Sequence, residues 1–435
     1  WETDKTETEE IVENYTASED VQLDQKLVQD DIIGNIAHTQ MLYEEGFLNK
    51  KELSEIHSSL LELLDSDVKI TTEDEDVHSK IENLVTKKTE SGKKIHTARS
   101  RNDQVLLDTR LFSKRKIIDT AINTLNLIES LHNLAKKHED LIMPGYTHMR
   151  QAMPMTAYLW LTSYNESLLD DLELLETSYE MNNQNPLGAA AGYGTSLEIN
   201  RKRTTDLLNF EKIQENPLYC VNSRGKTELN ITTTLSQIML DLNKLSNDLI
   251  LFSTHEYNFI KLPEEFTTGS SIMPQKSNPD VLEILKGKTS DVISKQHQIE
   301  LTLKNSNLGY NRDTQETKKS LIQSIKLTND SIKVLNEMIP EIKFNKEQIN
   351  KKMKKSINAA YTANKKVKKG TPFREAYKQT KQQKNYQKPT KNEINNYKLN
   401  NKKIEKQKQN WNQKKKQHQK MIQKITKKAK QNTEK

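Results

Sequence analysis

Three observations predict an all-α fold. Apolar residues recur at three- and four-residue steps over long stretches, glycine is down to 12 residues, and strand-type alternation is scarce. Prolines fall largely at the breaks (Pro144, Pro154, Pro186, Pro217, Pro263, Pro274 and Pro340), where a missing N–H and a fixed φ do least harm. The longest run starts at Leu107 and continues through Leu111, Ile118, Ala121, Ile122, Leu125, Ile128, Leu131 and Ala135. A second passes through Leu235, Ile238, Met239, Leu242, Leu245, Leu249 and Phe252, and stretches at 157–179, 281–303 and 314–338 supply three more. Each exceeds the ~11–12 residues of an average helix. Long helices with short connections predict an up-and-down bundle. The chain divides into an N-terminal helical domain (1–105), a central bundle (106–340) and a small C-terminal helical domain with a Lys-rich tail (341–435). Helices with more than one apolar stripe must bury more than one face, and five helices alone leave surface over.

Composition bounds the chemistry. At 435 residues there is ample material for a large core. The single Cys220 excludes an intramolecular disulfide and offers no metal cluster, so a reducing, cytoplasmic setting is expected, with neither metal nor cofactor. No apolar run approaches the ~20 residues needed to span a bilayer. The opening Trp1-Glu2-Thr3-Asp4 lacks the basic-then-apolar order of a secretory signal, and without an initiator methionine the native start is expected upstream. The net charge of +7 is uneven: Lys5 is the only base in the first twenty residues, and Glu405 and Glu434 are the only acids after Asn401. A basic tail suits phosphates, but Tyr386, Tyr397 and Trp411 are too sparse for base stacking. A solvated helix surface or frayed terminus is the expected state of the tail, and nucleic acid is an unlikely partner.

The most informative segment is Gly269 to Asp280, GSSIMPQKSNPD. A glycine hinge, two hydroxyls, two prolines, a lysine and an asparagine lie between two helical patterns. By composition alone this is an ordinary connector. A hydroxyl becomes a useful base only when its anion is stabilised, and Lys276 together with exposed turn N–H groups can do that at Ser270. Three further segments carry chemistry-bearing residues: KIHTARSRNDQV (94–105), MPGYTHMRQAMP (143–154) and LGYNRDTQETK (308–318).

These four ordered segments resemble the fumarase/aspartase superfamily of lyases, and their wording is similar to its argininosuccinate lyase/delta-crystallin branch. The similarity runs from about Glu13 to Tyr377. It implies elimination of a nitrogen leaving group from a succinyl substrate with release of fumarate, a mobile catalytic loop at 267–280, and a homotetramer whose active sites draw on three subunits. Such a reaction needs a base for a carbon-bound proton beside a carboxylate, donors around that carboxylate, and an acid or charge stabiliser for the departing nitrogen. The resemblance assigns Ser270 as base, Lys276 to steady its anion and Asn278 to hydrogen-bond the carboxylate, with Ser271 as a rival hydroxyl. It pairs His148 with Glu283, a carboxylate that orients the ring and steadies its positive charge. Which of Ser270 and His148 moves which proton stays open. Substrate contacts are implied at Arg101, Asn102, Thr147, Tyr310, Gln315 and Lys318, and, through an alignment with a small length change, at Ser18.

Two stretches depart from that pattern. Many relatives carry an acidic-Arg-acidic triplet where this chain reads Asn222-Ser223-Arg224-Gly225-Lys226. Arg224 remains as a carboxylate ligand, but its charge network is in question. The lysine-rich end after Tyr377 does not resemble most members. The rival functions are another fumarate-releasing lyase (adenylosuccinate lyase, fumarase or aspartase type) and a non-catalytic crystallin-like protein. The wording of the first two segments argues against the former. The intact Ser270, Lys276, Asn278, His148 and Glu283 argue against the latter.

Overall fold

The computed structural model describes residues 7–71, 74–383, 385–394 and 397–434. Helices dominate it, as expected. Four of them come first: α1 (Glu7–Asp24), α2 (Val28–Glu44), α3 (Lys50–Leu64) and α4 (Val77–Lys88). The long helix α5 (Arg101–Lys137) opens at Ser100, which caps Asn102 N–H while Asp103 closes the capping box. A hairpin, β1 (Ile142–Thr147) and β2 (Arg150–Thr156), leads to α6 (Ala157–Asn182). Two short helices, α7 (Arg201–Leu207) and α8 (Pro217–Asn222), precede α9 (Lys226–Ser253), α10 (Asp280–Leu303) and α11 (Glu316–Met338). Helices α12 (Lys346–Lys352), α13 (Ala359–Lys368), α14 (Phe373–Lys381) and α15 (Asn401–Thr433) complete the chain.

The bundle closes as a ring. Helix α5 packs on α6, α6 on α9, α9 on α10, α10 on α11, and α11 back on α5. Their direction alternates, so the starts of α5, α9 and α11 share one end with the close of α10. The starts of α6 and α10 share the other. The spacing that predicted the helices fills the core: Leu111, Ile118, Leu125, Ile128 and Leu131 of α5 meet Leu235, Ile238, Leu242 and Leu249 of α9 in one buried cluster. Apolar side chains left outside on the bundle include Leu174 (48 % exposed), Ile284 (58 %) and Leu301 (61 %). Among the described residues no helix is long and apolar enough to cross a membrane.

The lysine-rich tail is a helix laid on the body rather than a frayed end. Ile404, Gln407, Trp411, His418, Met421, Ile425 and Ala429 of α15 are buried along one stripe, and the helix lies against α2, α3, α5 and α6. Lysines on its flanks meet acids of the body, Lys414 with Glu180 at 2.6 Å and Lys428 with Glu44 at 2.8 Å. Trp411 is fully buried and edge-on to Tyr179, with ring centroids 6.0 Å apart. Trp411→Ala is expected to cost about 3–5 kcal/mol through lost burial and the cavity left behind. A lower urea midpoint at unchanged slope would register it; a wild-type midpoint would mean that α15 unfolds separately from the core.

Candidate active site

Six of the predicted contact residues converge on one cleft of about 230 Å³ at the end of the bundle where α5 begins. Arg101 and Asn102 come from the start of α5, Arg224 from the turn before α9, and Tyr310, Gln315 and Lys318 from the approach to α11 and its first turn. Four helices, α4, α5, α9 and α11, point their N-termini at this end. Their dipoles favour an anion there. Ser18 lies on α1, but its side chain falls outside the described residues.

Several charged and polar groups of the cleft are already paired. Arg101 meets Glu75 at 2.7 Å and Asp76 at 3.3 Å, and donates to Ser79 Oγ at 2.6 Å. Lys318, 3 % exposed, is held by Asp20 at 2.8 Å and by Asp24. The Gln315 amide donates to the Thr16 carbonyl at 3.0 Å, and the Arg224 guanidinium lies 5.7 Å from the centre of the Tyr310 ring. Burial pushes the Asp20 carboxyl up against the pull of Lys318. Burial likewise works to raise Asp76, but His78, the Ser79 N–H and Arg101 outweigh it and hold that carboxyl below its usual value.

The structure explains the departure around Arg224. Gly225 has φ +84° and caps α9; a Cβ there would meet Leu303 Cδ2 at 2.5 Å. An acid does stand one turn on: buried Glu228 accepts from Gly225 N–H at 2.8 Å, and burial pushes its carboxyl up against the nearby charge of Arg224. Asp103 is an anchor for this end of the bundle. Besides capping α5 it accepts from Gly188 and Ala190 N–H at 3.1 and 2.9 Å, tying the loop after α6 to the cleft.

The remaining predicted residues lie elsewhere. His148 and Met149 form the two-residue turn of the β1–β2 hairpin, with φ +52° and +58° at both positions. A turn of this hand favours Asn-Gly, so two bulkier residues in it are strained, a pattern that concentrates at functional sites. Thr147 closes the hairpin, and Thr147 and His148 are both exposed. The loop carrying Ser270 follows α9, and its base is a two-residue ladder pairing Thr268 with Asn278 and Gly269 with Ser277. Within it Ser270 Oγ accepts from the Met273 and Ile272 N–H groups at 3.1 and 3.3 Å. Lys276 of the same loop is exposed, and Asn278 is half-buried. Gly269 needs no left-handed backbone in this conformation, and a Cβ on it would meet nothing within 4 Å.

Hairpin and loop both belong to the far end of the bundle. The 37 residues of α5 alone span roughly 55 Å at 1.5 Å per residue, with the cleft at one end and the hairpin beyond the other. Glu283, in the first turn of α10, is exposed at that same far end and makes no bond to His148 within the chain. One chain therefore holds two candidate half-sites: a cleft of mixed charge at one end, and a hydroxyl loop and an imidazole-bearing hairpin at the other.

Sequence reasoning missed the acidic wall of the cleft, made by Asp20, Asp24, Glu75 and Asp76 together with His78. Its signal was faint. Asp76 reads as an ordinary helix cap, which it also is, accepting from Ser79 N–H at 2.7 Å.

The helical bundle has the fumarase-like all-α fold, and a lyase family model matches residues 3–294, which places the chain among the lyases. Among solved structures, EDDS lyase in complex with formate superposes with a TM-score of 0.79 over 95 % of this chain and 93 % of that one, at 20 % identity. Class II fumarase from Schistosoma mansoni does so at 0.70 over 82 % of this chain and 87 % of its own, at 17 % identity. Argininosuccinate lyase of Thermotoga neapolitana is 40 % identical over 383 residues, covering 87 % of this chain and 96 % of that protein. The enzyme of that name from Parabacteroides distasonis is 39 % identical over 373 residues, covering 85 % of this chain and 84 % of that protein. The chain belongs to the argininosuccinate lyase family.

Proposed function

We propose that this protein is a cytoplasmic carbon–nitrogen lyase that converts argininosuccinate reversibly to arginine and fumarate, the closing step of arginine biosynthesis. The observation that carries the reading is the convergence of Arg101, Asn102, Arg224, Tyr310, Gln315 and Lys318 on one cleft ringed by helix N-termini. Such a place suits a substrate with several carboxylates. The guanidinium fork of Arg101 matches a carboxylate in two-point fashion, exchanging Glu75 for the ligand.

The reaction removes a proton from the carbon beside a carboxylate and expels the guanidinium nitrogen. Charge left on carbon spreads into that carboxylate as an enolate-like form, so fixed donors around it lower the barrier. Ser270 is the proposed base. Two backbone N–H groups already point at its oxygen, and an alkoxide there would draw on both, with Lys276 adding positive charge. Asn278 and Thr147 hold the carboxylates. His148, oriented by Glu283, hands a proton to the departing nitrogen or relays one to it. Proton transfers and side-chain charge carry the whole proposed mechanism.

The two half-sites become one site when copies of the chain associate. A homotetramer in which neighbours contribute the His148 hairpin and the Ser270 loop to each cleft fits the apolar side chains exposed on α6 and α10. The direct test is to incubate the purified protein with argininosuccinate and follow fumarate by its ultraviolet absorbance, with adenylosuccinate and aspartate as controls. Fumarate from argininosuccinate alone is expected; fumarate only from a control substrate would overturn the assignment.

A further inference from the structure

His78 stands in the first turn of α4 at the wall of the cleft, 5 % exposed. Its Nδ1 lies 2.7 Å from Asp31 Oδ1 of α2 and 3.5 Å from Asp108 Oδ2 of α5. Both carboxylates are buried, at 2 % and 1 % exposure. Asp31 is further fixed by Asn35, which donates to its Oδ2 at 2.7 Å, whereas Asp108 Oδ2 has no hydrogen-bond partner among the described residues. The other ring nitrogen, Nε2, makes no bond among the described residues and is not sealed off from the cleft. A buried polar group is normally satisfied within the fold. Here an imidazole is hydrogen-bonded at Nδ1 to one buried carboxylate with a second 3.5 Å away, and its Nε2 is left without a partner among the described residues.

The surroundings favour a charged ring. Burial works against the cation, but the bond to Asp31 and the charges of Asp31, Asp76 and Asp24 outweigh it and raise His78 above its usual value. Burial, reinforced by the charge of Asp31, pushes Asp108 well above the usual carboxylate range. The charged groups facing His78 are thus Asp24 of α1, Asp31 of α2, Asp76 of its own helix start and the protonatable Asp108 of α5, with Arg101 and Lys318 across the cleft.

We propose that His78 is a substrate-binding residue: an imidazolium held from behind by Asp31 and Asp108 that donates its Nε2–H to a carboxylate of the bound ligand. This rests on the lyase reading for the identity of that ligand, but not for the existence of the contact. A purely structural histidine would need neither an open Nε2 nor two buried acids behind it. Clusters of buried, mutually shifted groups in a cleft mark functional sites more often than packing requires.

The test uses the assembled enzyme. His78→Gln is expected to raise KM for argininosuccinate about ten- to a hundredfold, the worth of one charge-assisted hydrogen bond, with kcat within a few-fold of wild type. The wild-type kcat/KM should fall on the alkaline side as His78 loses its proton above its raised pKa, and this limb should vanish in the variant. An unchanged KM, or a raised KM with the limb intact, overturns the proposal. If His78→Gln does not assemble, Asp31→Asn and Asp108→Asn decide. A raised KM in the Asp31 variant alone supports the charged-ring account, and equal effects overturn it. Should wild-type protein release no fumarate from argininosuccinate, the lyase reading fails on its own. Calorimetric binding of fumarate to wild type and His78→Gln then decides the contact: weaker binding by the variant supports it, equal binding refutes it.

Discussion

Ser270→Ala is expected to lower kcat for argininosuccinate cleavage by on the order of a hundredfold or more while leaving KM little changed, the scale of a lost general base. The hydroxyl is not part of the packing. It sits on a surface loop, and its recorded bonds are acceptances from the Ile272 and Met273 N–H groups, both exposed residues. Removing Oγ therefore frees two N–H groups to water and leaves the bundle untouched, so melting temperature should stay at the wild-type value. That separation makes the experiment informative, because a fall in kcat cannot be attributed to unfolding. Ser271 is the control. It neighbours Ser270 but is exposed and lacks the two N–H contacts, so Ser271→Ala should retain most activity. Full turnover by the Ser270 variant would move the base to another group, with His148 the first to test by the same comparison.

The parts of this molecule that announce themselves in sequence are those set by short-range repetition. The period of Leu111, Ile118, Leu125 and Ile128 is a property of one helix; α5, α6, α9 and α10 each cover the stretch in which that period was visible, and α11 covers all of its stretch but the first two residues. Helix starts were less clear, since the capping pair Ser100 and Asp103 sits within a segment that also carries Arg101 and Asn102. The tail misled for an energetic reason. Lysine, glutamine and asparagine outnumber apolar residues so heavily that the seven-residue spacing from Ile404 to Trp411 to His418 is hard to see, yet that stripe suffices to seat the helix once Tyr179 offers it a surface. His148 showed itself by motif, but nothing in the letters gives the left-handed turn that projects it from the bundle. The acidic wall was hidden because its members come from segments far apart in the chain, Asp20 and Asp24 from α1 and Glu75 and Asp76 from the turn that opens α4. Each alone looks like surface or cap. Only three-dimensional proximity turns them into counter-charges for Lys318, Arg101 and His78.

A mixture of two inactive variants should recover activity that neither has alone. Arg101→Gln disables the cleft half-site, and His148→Asn disables the hairpin half-site. Both are chosen to spare the fold. Arg101 is a partly exposed side chain whose partners Glu75 and Asp76 sit at the cleft rim, and asparagine tolerates the φ of +52° that His148 adopts. Each variant by itself should lose on the order of a hundredfold in kcat/KM, through a missing carboxylate clamp or a missing proton-transfer group. When the two are unfolded together and refolded, some assemblies will join the intact cleft of a His148→Asn chain to the intact hairpin of an Arg101→Gln chain. Those sites contain every group of the wild-type site. Turnover in the mixture should therefore exceed the sum of the separate variants by far more than assay scatter, and carry the wild-type KM. The reasoning depends on distance rather than on any single bond. With the half-sites at opposite ends of a 37-residue helix, no rearrangement of a lone chain short of unfolding brings them together. If the refolded mixture is no more active than its parts while wild type refolds to full activity, each site is built within one chain. The separation along α5 would then have to be bridged by a motion of the hairpin that this fold does not suggest.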